Sequence, residues 1–198
     1  MTTVPDPYAL PPDLPVPIND GAAAHLAGMQ IPSVLLIGSD GRWWDLASLA
    51  ASRLVVYVYP QTGAPGRDPA PGWDSIPGAP GCTVQSLGYK AAFDGFRRLG
   101  IKVVGLSSQD TAEQREFAER NNIPFLLLSD PMLVLADALR LPTFEAGGSR
   151  LYRRLAFIGD RGVIVRAFYP VFPPNENAAS VLAWLTDRTN RPVGEGEP

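Results

Sequence analysis

The sequence predicts an α/β fold with a largely parallel central sheet flanked by helices. Two apolar runs, Leu54-Val55-Val56-Tyr57-Val58-Tyr59 and Ile101-Lys102-Val103-Val104-Gly105-Leu106, have the β-branched and aromatic content of strands buried on both faces. Between them, helical periodicity runs from Cys82 to a stop at Gly100, and a second helical stretch separates the later run from Phe125-Leu126-Leu127-Leu128. The order strand, helix, strand, helix, strand is that of parallel βαβ units.

The remaining elements follow in chain order. Residues 1–30 are rich in proline, with Pro5, Pro7, Pro11, Pro12, Pro15 and Pro17 forbidding a long helix or central strand, so they read as an extended arm. The apolar run 33–37, the turn signal Gly38-Ser39-Asp40-Gly41 and Arg42-Trp43-Trp44-Asp45 suggest a short hairpin, after which Asp45 caps a short helix through Leu49. From Gln61 to Gly81 proline and glycine dominate, and Trp73 is the one large apolar anchor of a long surface loop. In the helix that follows, Leu87, Ala91, Phe93, Phe96 and Leu99 supply the apolar face. Asp110 or Thr111 caps the helix that ends near Arg120, and Asp130-Pro131 starts a short one through Leu139. Leu151 to Ile158 and Val163 to Phe168 flank Gly159-Asp160-Arg161-Gly162 as an antiparallel hairpin, and Asn175 caps a last helix carrying Val181, Leu182 and Leu185. The globular domain is therefore expected over 31–190, with a disordered Gly/Glu/Pro tail over 191–198. Parallel βαβ units closed by a hairpin and a helix describe a thioredoxin-like architecture with a central mixed sheet.

Composition narrows the function. At 198 residues and 45% hydrophobic content the chain suits one domain with a sizeable core. A formal charge of -3 and the lack of any basic cluster beyond pairs such as Arg97-Arg98 and Arg153-Arg154 argue against nucleic acid or a polybasic membrane surface as partner. The first 16 residues lack the pattern of a signal peptide, no apolar run approaches a membrane span, and a cytoplasmic location is expected. One cysteine and one histidine leave no internal disulfide and too few soft ligands for structural zinc; neither a metal nor a cofactor is expected. His25 lies in the arm, and no feature places it near Cys82 as the base of a dyad.

Cys82 is the candidate nucleophile. In Pro80-Gly81-Cys82-Thr83-Val84-Gln85 it follows the loop and opens a long helix, where unpaired N–H groups and the positive end of the macrodipole complement negative charge on sulfur. Its competing reading is that of an inert, buried small hydrophobe. In the predicted fold the loop meets the helix start at the carboxyl edge of the sheet, a common place for function.

At these residues the sequence resembles the peroxiredoxins of the alkyl hydroperoxide reductase/thiol-specific antioxidant type, most closely the bacterioferritin-comigratory-protein or peroxiredoxin Q group. Tyr57-Val58-Tyr59-Pro60, Pro80 to Gln85, Val103-Val104-Gly105-Leu106-Ser107, Phe117-Ala118-Glu119-Arg120, Ile123-Pro124-Phe125 and Leu128-Ser129-Asp130 occur in the family's order, and the match spans about residues 30 to 187. The resemblance implies that Cys82 is the peroxidatic cysteine, attacking the terminal peroxide oxygen and becoming a sulfenic acid. It implies an arginine from the late hairpin that stabilises developing charge. Arg154, in Arg154-Leu155-Ala156-Phe157, matches the family's pattern; counting back from Gly162 selects Arg153 instead, and strand alternation allows only one of them to face the site. The family's threonine, three residues before the cysteine, is Ala79 here, so its peroxide-binding role passes to Thr62, left on the strand side of the insertion. Gln85, one turn after the sulfur, is expected to help hold the loop. Trp73 and Phe172 are candidates for an apolar mouth above the thiol.

The resolving cysteine that many members carry five residues after the first is Leu87 here, and the sequence holds no second cysteine. The resemblance therefore implies a one-cysteine thiol peroxidase for hydrogen peroxide or organic hydroperoxides, whose sulfenic acid is reduced by an external thiol. That reductant is a small thiol or a thioredoxin- or glutaredoxin-type protein. A homodimer fits the family's habit. Two alternatives remain: a redox-sensing or non-catalytic protein of the same fold, and a specialised biosynthetic enzyme using the same site.

Overall fold

A computed structural model describes residue 10 and residues 13–190, with the side chains of 189 and 190 outside the description. The expected disordered tail over 191–198 and much of the arm's first dozen residues lie outside the described residues. The elements are β1 (Leu35–Gly38), β2 (Trp43–Asp45), α1 (Leu46–Leu49), β3 (Leu54–Val58), α2 (Cys82–Arg98), β4 (Lys102–Ser107), α3 (Thr111–Arg120), β5 (Leu126–Ser129), α4 (Val134–Leu139), β6 (Thr143–Ala146), β7 (Ser149–Tyr152), β8 (Leu155–Asp160), β9 (Val163–Phe168) and α5 (Asn177–Asn190). Seven strands form one sheet in the order β2-β1-β5-β4-β3-β8-β9, with β3, β4 and β5 parallel and the outer pairs antiparallel. This is the expected thioredoxin-like fold with a mixed sheet.

Strand β3 is buried along its whole length because the pleat feeds two separate cores. Leu54, Val56 and Val58 join Leu106, Phe157, Leu46, Leu135 and Leu139 on the face covered by α1 and α4. Val55 and Tyr57, with Tyr59 just beyond, join Tyr89, Phe96, Phe117, Val181 and Leu185 on the face covered by α2, α3 and α5. The arm contributes too: Ala23 and Leu26 enter the first core, and His25 Nε2 lies 2.8 Å from the Leu139 carbonyl oxygen.

The predicted cap at Asp45 forms, and of Asp110 and Thr111 it is Asp110 that caps, the carboxylates accepting from Ser48 N and Glu113 N. Other boundaries move for identifiable reasons. The run expected as one strand from Leu151 to Ile158 divides at Arg153 and Arg154, and its first part pairs with β6 in a separate two-stranded hairpin. Asp130 does not begin a helix; it sits before α4 and its carboxylate accepts from Val134 N and Leu135 N at 2.8 and 2.9 Å. Asn175 lies in a single 3-10 turn, Pro174–Glu176, and α5 starts only at Asn177. On α2 the buried face is Cys82, Thr83, Gln85, Ser86, Tyr89 and Phe96, while Ala91, expected on the apolar face, is exposed. Of its polar members, Gln85 is hydrogen-bonded to Arg154 and Asn177, and Ser86 to Tyr57.

The 61–81 loop is held down along its length. Trp73 is buried with Ala79 and Leu151 in a third small cluster and meets the Phe144 ring at 6.2 Å between centroids, so the loop packs on the β6–β7 hairpin. Arg67 pairs with Glu113, and Arg120 Nη2 donates to the Gly63 carbonyl at 3.0 Å. The loop ends at Gly81, which takes φ +98 and whose added Cβ would stand 2.5 Å from Pro174 Cγ. Gly81→Ala should therefore lower stability by about 3 kcal/mol, the sum of a left-handed backbone and a steric overlap; a urea-denaturation loss under about 1 kcal/mol would show that neither constraint is strict.

Candidate active site

The sheet's carboxyl edge collects the site. Pro60 stops β3, and the Gln61 amide then points at the first residue of α2, donating to Cys82 Sγ at 3.4 Å. Gly81, in the left-handed region before α2, lets the chain turn so that Cys82 becomes the first helical residue, with its side chain only 3% exposed. The sulfur also faces the Ala79 carbonyl oxygen at 3.5 Å.

Of the two arginines between β7 and β8, Arg154 reaches the sulfur. Its Nη2 donates to Cys82 Sγ at 3.2 Å and also to the carbonyls of Ala79 at 3.1 Å and Pro80 at 2.9 Å, while Nη1 donates to Gln85 Oε1. Arg153 instead lays its guanidinium over the Phe144 ring at 5.8 Å.

Arg154 is 3% exposed, and among the described residues no carboxylate pairs with it. Burying a cation unpaired costs on the order of several kcal/mol. Here the carbonyl and amide acceptors offset part of that cost, and Cys82 Sγ is a further acceptor within reach. The nearby phenols do not compete for that role. Burial raises the pKa of Tyr57 and Tyr59 well above the ordinary phenol value, the proximity of Cys82 adding to the effect, so both stay neutral as hydrogen-bond donors. Tyr57 Oη donates to Ser86 Oγ at 3.2 Å and Tyr59 Oη to Gln114 Oε1 at 2.9 Å.

Thr62 is next to Gln61 and 3% exposed, and Gln109 clamps it. Gln109 Oε1 accepts from Thr62 N at 2.8 Å and from Thr62 Oγ1 at 2.9 Å, and Gln109 Nε2 donates to the Thr62 carbonyl at 3.3 Å. Ser107 Oγ donates to the Pro60 carbonyl at 2.9 Å, so the end of β3 is stapled to the end of β4. Trp73, one of two candidates for a mouth over the thiol, is taken up by its own cluster instead, and Phe172 is 37% exposed.

Sequence reasoning missed the backbone parts of this site, the Gln61 amide and the Ala79 and Pro80 carbonyls, because a backbone group leaves no residue-type signal. It also missed Gln109, whose only signal is its position two residues after the end of a buried strand. Among the described residues no group of His, Cys, Asp or Glu is placed to hold a metal, and no helix is long and apolar enough to cross a membrane.

A Redoxin family model matches residues 26–182, and the chain belongs to that family. Its relatives narrow the class. Chloroplastic peroxiredoxin Q of Populus jackii is 26% identical over 158 residues, covering 80% of this chain and 67% of that protein. Peroxiredoxin Bcp of Escherichia coli is 25% identical over 164 residues, covering 81% of this chain and 96% of that protein. A solved structure of Xanthomonas campestris peroxiredoxin Q matches with a TM-score of 0.65 at 25% identity, covering 83% of this chain and 99% of that one. The structure of peroxidoxin BcpB from Mycobacterium tuberculosis, at 21% identity, a TM-score of 0.67 and coverage of 84% and 98%, shares the fold. The chain spans about two thirds of the length of the plant relatives. Within the family the chain is similar to peroxiredoxins of the Q/Bcp group.

The contrast between the arginines is measurable. Arg154→Lys should slow oxidation of Cys82 by peroxide about 100-fold, the usual cost of removing one fixed donor at a developing charge, whereas Arg153→Lys should stay within about threefold of the parent. Stopped-flow fluorescence of the tryptophans reads both rates, and equal losses in the two variants would remove Arg154 from its place.

Proposed function

We propose that the protein is a one-cysteine peroxidase in which Cys82 is the nucleophile and an external thiol closes the cycle. The observation that carries this reading is the sulfur itself, held by a buried guanidinium at 3.2 Å and a backbone amide at 3.4 Å with no carboxylate on Arg154 among the described residues. Thiolate sulfur attacks the terminal oxygen of a hydroperoxide and the O–O bond breaks. The leaving oxygen departs with the electron pair and takes a proton, giving water or an alcohol, and sulfur keeps the other oxygen as a sulfenic acid. Arg154 has acceptors fixed on both terminal nitrogens, so it meets the developing charge without having to reorganise.

Thr62 supplies the peroxide ligand on the strand side. Its hydroxyl proton is given to Gln109, which leaves its oxygen lone pairs to accept from the peroxide hydroxyl, and its neighbour Gln61 already touches the sulfur. Leu87 stands where a resolving cysteine would, and the sequence holds no second thiol. An external thiolate therefore attacks the sulfenic sulfur, releasing water and forming a mixed disulfide, and a second thiol displaces Cys82 as the exchange completes. Hydrogen peroxide and organic hydroperoxides are the substrates of this reading. A small thiol or a thioredoxin- or glutaredoxin-type protein is its reductant. A cytoplasmic location and a homodimer belong to the same proposal.

With hydrogen peroxide and excess dithiothreitol, the protein should turn over, and Cys82→Ser should abolish turnover while Thr62→Val lowers it about tenfold. Turnover surviving in Cys82→Ser would exclude the mechanism. Rapid sulfenylation of Cys82 that no thiol reverses would make the protein a sensor instead.

A further inference from the structure

A buried polar chain leads away from the thiol into the last helix. Arg154 Nη1 donates to Gln85 Oε1, Gln85 Nε2 donates to Asn177 Oδ1 at 3.0 Å, and Tyr89 Oη donates to the same oxygen at 2.8 Å. All four residues are buried. The direction of every bond follows from its first member. A guanidinium can only donate, so Gln85 must turn its oxygen to Arg154 and its NH₂ to Asn177, and Asn177 must answer with its carbonyl oxygen. Burial raises the Tyr89 pKa well above the usual phenol value, so its hydroxyl stays protonated and donates to that oxygen as well. Asn177 is itself firmly placed. It opens α5, whose Ala178, Val181 and Leu185 lie in the same core as Tyr89 and Phe96, and the neighbouring Asn175 carbonyl approaches Gly88 so closely that an added Cβ would meet it at 3.1 Å.

We infer that Asn177 is a positioning residue for Cys82: by taking the Gln85 NH₂ it holds the Gln85 oxygen on Arg154, and so holds Nη2 at the sulfur. Asn177 touches neither the sulfur nor, in the proposed reaction, the peroxide. Without its acceptor the Gln85 NH₂ is left buried and unpaired, and an amide that turns to relieve this presents a donor to a donor-only guanidinium. The inference rests on Cys82 being the reactive thiol, and its test reads the thiol without requiring peroxidase turnover.

The test is the second-order rate of Cys82 alkylation by iodoacetamide, with the rate of sulfenylation by hydrogen peroxide measured in parallel. Asn177→Leu should slow alkylation about tenfold, within the range of coupling between residues of one hydrogen-bonded network. Asn177→Asp, which keeps an acceptor oxygen for both donors, should stay within about threefold of the parent. In a Gln85→Leu background, Asn177→Leu should cause no further loss. A role confined to stabilising α5 predicts the opposite, an equal loss with and without Gln85 and no rescue by aspartate, and either result overturns the inference, as does an unchanged rate in a folded Asn177→Leu protein. If circular dichroism shows that Asn177→Leu is unfolded, Asn177→Ala and Asn177→Ser serve in the same two backgrounds. Failure of the peroxidase reading would look different: alkylation would follow this pattern while peroxide produced no sulfenic acid.

Discussion

A guanidinium withdrawn from water, with no carboxylate on it among the described residues, is the constraint around which this molecule is arranged. The chain supplies acceptors to Arg154 from three places: the end of the long loop, the first turn of α2 and the sulfur. Each supplier is fixed in turn. Gly81 gives the loop its left-handed exit, the 3-10 turn at Pro174–Glu176 closes over it, and Arg154 enters from the break between β7 and β8. Had an acidic side chain stood beside Arg154, it would have taken the positive charge for itself. Neutral partners leave that charge available to the sulfur.

The fold was legible from the sequence because two physical signals were strong. Strands buried on both faces have few alternatives to β-branched and aromatic residues, so β3 and β4 stood out, and Asp45 and Asp110 marked helix starts through chemistry that needs only local backbone. The β6–β7 hairpin was not foreseen because Leu151 and Tyr152 run on into the next apolar stretch as if one strand, and Trp73, which packs on the hairpin, lies far away along the chain. Alternation could separate Arg153 from Arg154 but could not choose between them, since counting from Phe157 and counting back from Gly162 pick different residues.

The site shows a similar division. Cys82 could be singled out by where it stands on its helix, and Gln85 by the turn that separates it from the sulfur. What holds them is backbone or remote: Gln61 N, the Ala79 and Pro80 carbonyls, Gln109 and Asn177. Thr62 shows the gap most clearly. Its residue type draws attention to the strand side of the loop, yet its partner Gln109 comes from a different βα unit and leaves no trace near it in the chain.

The insertion between β3 and α2 has a consequence for evolution and for engineering. In a continuous segment, the residue on the strand and the cysteine on the helix would move together, and their spacing would be inherited as one unit. Here they are anchored independently, the strand side by Gln109 and the helix side by Gly81, with Trp73 pinning the chain between them to the outer hairpin. Ala79 belongs both to that outer cluster and to the cradle of Arg154. Packing of the outer hairpin thus reaches, through a single alanine, the carbonyl that accepts from the cation beside the sulfur.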